Sequence, residues 1–196
     1  MIGVLAYGSL IADPGSELAA ITIGIERNVL TPFSVEFART SQRRFGAPTL
    51  VPIEDGGSRV RAVIFEVNVD EKQAIDIVYR REINEVGSNK TYIERPEHWK
   101  NAVRIDRIKG LEGFDLVIST RIPANIASPS AETLAELAIS SAQQLADGRD
   151  GISYLINAKA CGIETPLTSA YERMILDRTG APDLVAALRA IRLGTH

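Results

Sequence analysis

Apolar residues are spaced in two different ways along this chain. Up to about Ile122 they come in short runs, Ile2 to Tyr7, Ile21 to Ile25, Ser34 to Ala38, Thr49 to Pro52, Val60 to Val69, Val103 to Ile108 and Leu116 to Thr120, with turn-forming residues between them. Runs of this kind predict β-strands. The segment Glu54-Asp55-Gly56-Gly57-Ser58 separates two of them, and its glycines supply the positive φ of a tight turn. Thr49 to Pro52 and Val60 to Val69 are therefore expected to pair antiparallel.

From Ser128 onward the period becomes helical. Ser128-Pro129 is expected to open a helix, the serine as cap and the proline already fixed at helical φ. Leu134, Leu137, Ala138, Ala142 and Leu145 make its inner face, and Gly148 stops it. A shorter helix from about Tyr154 to Cys161 ends at Gly162. Thr165-Pro166 opens another that buries Leu167, Tyr171, Met174 and Ile175, and Gly180 closes it before a last helix through Leu184, Leu188 and Ile191. No internal repeat is present. Strands first and helices last predict an α+β fold: a small, mainly antiparallel β-barrel or sheet flanked by helices, with a helical C-terminal third.

One helix interrupts the strand-rich half. Asp70-Glu71-Lys72-Gln73 has the form of a capping box, and Ile75, Val78 and Tyr79 follow at i, i+3 and i+4 on the inward face. The next position on that face, at i+7, is Glu82. A carboxylate aimed at the interior costs several kcal/mol unless partnered, so Glu82 is either paired with an arginine such as Arg39 or Arg43 or kept for a perturbed pKa. Glu85 shares the face if the helix runs on, which leaves two candidate acids.

A second candidate feature lies at the N-terminus, where the run Val4-Leu5-Ala6 breaks into Tyr7-Gly8-Ser9-Leu10. A strand that ends in a glycine turn leaves backbone N–H groups unpaired at one spot, and Gly8 has no Cβ to keep a ligand away. Such a loop suits a carboxylate or a phosphate. Ser9 lacks the Gly-x-Ser-x-Gly elbow of a hydrolase nucleophile. Read for structure alone, Tyr7 covers a strand end and Ser9 is a turn hydroxyl.

Composition narrows the classes. With 196 residues and 45 % apolar content, residues 1–196 are expected to form a single domain. A net charge of −3 and a pI near 5.5 argue against nucleic acid or an anionic membrane as partner. Arg39, Arg43 and Arg44 form the one local basic cluster and read as a loop or a set of ion pairs. A single cysteine, Cys161, and the histidines His98 and His196 are too few for a disulfide framework or a structural zinc site. Cys161 falls at helical spacing with Tyr154, Leu155 and Ala158, which predicts a small buried hydrophobe. No stretch has the pattern of a signal peptide or the length of a membrane span, so a cytoplasmic protein is expected.

Tyr7-Gly8-Ser9-Leu10 after an N-terminal strand, Phe37 to Ser41, Pro48-Thr49-Leu50, Val60 to Val69 and the later Tyr79-Arg80-Arg81-Glu82 together resemble the γ-glutamylcyclotransferase-like superfamily. The Arg-Glu pair is nearest to the ChaC-type, glutathione-degrading branch. Ser153-Tyr154-Leu155, Gly162-Ile163 and Tyr171 are similar to the family's closing helical pattern. Two departures stand out. Arg61-Ala62 occupies a region where the family places a glycine, and the Gly-Tyr that follows the family's glutamate is spread here into Gly87 and Tyr92.

The resemblance implies an enzyme that converts a γ-glutamyl compound to 5-oxoproline and a free amine, with Glu82 as general acid/base. It further implies that Tyr7, Gly8, Ser9 and Leu10 hold the substrate's α-carboxylate and that Tyr154 closes the pocket; by spacing alone, Tyr154 fits plain core equally well. No metal, nucleotide or other cofactor is expected. The leaving group remains open among an amino acid, cysteinylglycine and a simple amine. A non-catalytic metabolite-binding relative of the same fold is the alternative.

Overall fold

The computed structural model describes residues 1–145 and 148–194. His196 lies outside the described residues. In chain order the strands are β1 (Ile2–Ala6), β2 (Thr22–Leu30), β3 (Val35–Ser41), β4 (Ala47–Pro52), β5 (Arg61–Val67), β6 (Arg104–Ile108) and β7 (Leu116–Arg121). The helices are α1 (Ser9–Ala12), α2 (Ser16–Ile21), α3 (Glu71–Glu82), α4 (Ala131–Gln144), α5 (Gly151–Ala160), α6 (Thr168–Thr179) and α7 (Leu184–Leu193). The expected α+β class holds, with sheets in which antiparallel pairing dominates, helices against them and a helical C-terminal region.

These elements form two compact units, each discontinuous in sequence. One consists of Met1–Pro32 and Arg61–Pro123, the other of Phe33–Val60 and the chain from Ala124 onward. The first unit contains a five-stranded sheet of order β2-β5-β1-β7-β6, open at both edges. Its pairings are antiparallel except between β1 and β7. One face of this sheet, with Val4, Ala6, Val63, Phe65, Val67 and Ile118, packs against Ala74, Ile75, Ile77 and Val78 of α3 and Leu18 of α2. Asp70 caps α3 by accepting the Gln73 amide at 2.8 Å, as its sequence predicts.

The second unit contains the two-stranded sheet β3-β4 and the helices α4 to α7. α4 packs on β4 and on the other three helices, and Phe37 and Tyr171 meet edge to face at 5.3 Å between ring centroids. Glu36 is buried here, and its carboxylate accepts the Thr165 hydroxyl at 2.5 Å, the Phe37 amide at 2.8 Å and the Leu167 amide at 3.2 Å.

Three local expectations are corrected. β4 pairs with β3, not β5, and β5 lies between β1 and β2. The glycines do turn the chain, with Gly56 and Gly57 at φ 76° and 67°, but Ser58 then bridges to Val35. β5 is buried at every position from Ala62 to Phe65, covered on both faces, and hydrogen-bonds β1 along one edge and β2 along the other. The helix expected from Ser128-Pro129 starts at Ala131, because Ser130 makes the cap by accepting the Thr133 amide at 3.3 Å. Cys161 is half-buried, since it sits at the C-cap of α5 beyond the last inward-facing turn.

Candidate functional site

β1 is the middle strand of its sheet, so the turn that ends it emerges at the centre of the sheet edge rather than at a flank. Gly8 makes that turn at φ 60°, ψ −135°, a backbone conformation that a Cβ opposes. The chain enters α1 at once. Leu10 is buried in the core beneath α3, Ser9 is exposed and Tyr7 is half-buried. Within α1 the Gly8 carbonyl takes the Ile11 amide at 3.2 Å and the Ser9 carbonyl takes the Asp13 amide at 3.0 Å. The first amides of so short a helix have no carbonyl partner inside it.

Glu82 is the last residue of α3. Ile83 closes the helix and Asn84 turns left-handed at φ 54°, so the inward face ends with Glu82. Its side chain keeps 19 % of its surface exposed, and Arg81 stands beside it with Nη1 3.5 Å from Glu82 Oε1. Burial pushes the Glu82 carboxyl above the ordinary glutamate range, against the smaller opposing pull of Arg81. Glu85 leaves the face altogether and pairs with Lys90 at 2.6 Å.

Arg81 also holds the far end of α1, the short helix that the Gly8 turn opens. Its Nε and Nη2 donate to the Asp13 carbonyl at 2.9 and 2.7 Å, and Nη2 lies 3.5 Å from Ser9 Oγ. One guanidinium thus lies 3.5 Å from Ser9 Oγ of the Tyr7-to-Leu10 loop and 3.5 Å from Glu82 Oε1, the two features singled out from the sequence.

Further polar contacts fix the surroundings. Arg80 forms a paired contact with Glu17 of α2 and donates to the Lys90 carbonyl at 3.0 Å, while Glu17 also takes the Gly87 amide at 2.8 Å. Asp76, which periodicity did not single out, is buried on α3 and accepts the Tyr92 amide and the Lys72 ammonium, each at 2.8 Å. Burial opposes its ionisation, but the bonds from Lys72 and Tyr92 outweigh it and hold Asp76 below the usual range. The Tyr92 ring also packs edge to face on Tyr79, 5.5 Å between centroids. Residues 87 to 92 are thus laid back along α3. The Lys72 and Asp76 spacing of i, i+4 was the available signal for Asp76.

Tyr154 belongs to the other unit. It is buried on α5, lies edge to face with Phe37 at 6.3 Å, carries the Arg44 guanidinium 4.3 Å above its ring and accepts the Leu50 amide at 3.4 Å. Among the described residues no cluster of three or more His, Cys, Asp or Glu is placed to hold a metal ion. None of the described helices is long and apolar enough to cross a membrane.

No protein-family profile matches the chain, and no curated protein matches it in sequence. Its fold is similar to that of a solved yeast γ-glutamyl cyclotransferase specific to glutathione, with a TM-score of 0.52 over 100 % of this chain and 99 % of that one, at 14 % identity. The likeness is one of fold.

Proposed function

We propose that this chain is a γ-glutamyl cyclotransferase-type enzyme, which closes a γ-glutamyl compound into 5-oxoproline and releases the amine. The observation that carries the reading is Glu82: a partly buried carboxylate with a raised pKa, whose neighbour Arg81 grips the far end of α1, the short helix opened by the glycine turn. The similarity of fold to the yeast enzyme supports the same class.

The chemistry follows from what the two features offer. Backbone amides at the Tyr7-to-Leu10 turn hold the substrate's α-carboxylate, which fixes the glutamyl half. Glu82 takes a proton from the α-ammonium, and the freed amine attacks the γ-carbonyl of the same molecule. A carbon–nitrogen bond forms to close the five-membered lactam. Glu82 then returns the proton to the departing nitrogen as the original amide bond breaks, and the second hydrogen of the ring nitrogen passes to the released amine, which departs as an ammonium. A carboxylate of raised pKa is the stronger base, and such proton transfer contributes on the order of 10² to 10⁴ in rate. Holding amine and carbonyl in contact supplies several kcal/mol more.

The test is release of 5-oxoproline from glutathione, the substrate of the yeast protein, and from γ-glutamyl amino acids and γ-glutamyl amines, by wild type and Glu82→Gln. Product from wild type and a loss of at least a hundredfold in the folded variant is the expected result. Binding of these compounds without product from wild type would replace the reading with a metabolite-binding role. Undiminished release by Glu82→Gln would move the base elsewhere.

A further inference from the structure

The two arginines that precede Glu82 do different things. Arg80 serves Glu17 and the Lys90 carbonyl, whereas Arg81 meets Glu82, the Asp13 carbonyl at the end of α1 and the Ser9 hydroxyl at its start. The Arg81 side chain is only 14 % exposed, and its guanidinium gives two nitrogens to one carbonyl, that of Asp13. Room for its stem is made by Gly15, at φ 79°, where a Cβ would stand 3.3 Å from Arg81 Cγ. The stretch from Ser9 to Gly15 is wrapped around this one side chain.

We propose that Arg81 is a positioning residue for the reaction: it ties α1, the short helix that follows Gly8, to the Glu82 carboxylate, so that the substrate-holding loop and the base keep one spacing. The proposal rests on the reading of Glu82 as the base. A simple counter-charge for Glu82 would need no bonds to the Asp13 carbonyl. The planar fork of an arginine presents separate nitrogens in fixed directions, whereas a lysine offers its donors from one freely rotating ammonium centre. The other charged groups at this corner of the unit are the Asp13 carboxylate, 3.8 Å from Arg81, the Arg80–Glu17 pair from α3 and α2, and the Glu85–Lys90 pair of the following loop. Among the described residues, Arg81 is the cation in ion-pair contact with Glu82.

This separates the charge of Arg81 from its geometry. Arg81→Lys keeps a cation and loses the fork; Arg81→Met loses both. The experiment measures kcat and KM for 5-oxoproline release across pH, together with the titration of the Glu82 carboxyl carbon by NMR, on variants shown to be folded at the assay temperature. For Arg81→Lys the expected result is a fall in kcat/KM on the order of tenfold or more, with the Glu82 midpoint little moved. For Arg81→Met the midpoint is expected to rise by about one pH unit as well. A folded Arg81→Lys variant with wild-type kcat/KM would overturn the positioning role while leaving the cyclotransferase reading intact. A wild-type protein that releases no 5-oxoproline would overturn that reading, and the positioning role with it.

Discussion

Glu17 receives Arg80 through three hydrogen bonds of 3.1, 3.0 and 2.6 Å, and the pair joins α2 to the last turn of α3. Both side chains are largely withdrawn from water, and Glu17 carries the Gly87 amide in addition. One carboxylate thus fastens segments on either side of α3.

Removing that carboxylate should cost stability in a pH-dependent way. The Arg80 hydrogen bonds hold Glu17 below the ordinary glutamate range. Its contribution is therefore present above that range and lost as pH falls through the lowered folded-state value. Glu17→Gln is expected to lose about 1–3 kcal/mol at neutral pH, with the difference from wild type shrinking in acid. Urea denaturation at several pH values reads this directly.

Glu82 should show the opposite sign. Its folded-state value is raised by burial, so its contribution to stability is whole below the ordinary glutamate range and disappears as pH rises through the raised value. Glu82→Gln is expected to be at least as stable as wild type above that value, and to lose any such advantage in acid. The same titration should appear in kcat/KM, which is expected to rise with pH through the raised value as the base form is populated. Thermal denaturation and a pH–rate profile check the two halves.

Gly8→Ala should damage both fold and activity. The φ of 60° with ψ of −135° that Gly8 adopts is strained for any residue with a Cβ, at a cost of about 1–3 kcal/mol. The variant is expected to unfold at lower temperature and, where still folded, to show a raised KM for γ-glutamyl substrates. Unchanged KM in a folded variant would count against the loop as the carboxylate holder.

In the second unit, Glu36→Ala should weaken the start of α6. Its carboxylate takes the Thr165 hydroxyl and the Leu167 amide, groups that alanine leaves without that acceptor. A loss of about 1–3 kcal/mol is expected. Faster amide hydrogen exchange around residues 165 to 168 would localise it.

The strands were legible in the sequence because the apolar runs differ so plainly in period from the helical C-terminal third. The start of α3 was legible for a local reason, since the Asp70 cap and the Gln73 amide lie three residues apart. Glu82 followed from periodicity. Strand partners were not legible: the turn around Gly56 and Gly57 is as local as a hairpin, but the two edges of β5 are taken by β1 and β2, which lie far away in the chain. The contact of Arg81 with Glu82 was hidden because neighbours at i and i+1 on a helix ordinarily diverge. Glu17, whose partner Arg80 lies far along the chain, gave no local sign at all.

The position of β1 has a consequence for how the chain must fold. It precedes the other strands of its sheet in the chain and is also the middle of that sheet, between β5 and β7. Neither neighbour exists until residues 61–67 and then 116–121 have followed, and by then residues 33–60 of the other unit have already been made. Non-local pairings of this kind slow folding and leave unpaired strand edges exposed meanwhile. The turn at Gly8 is therefore drawn into place by its central strand late, only after most of the first unit's chain is available.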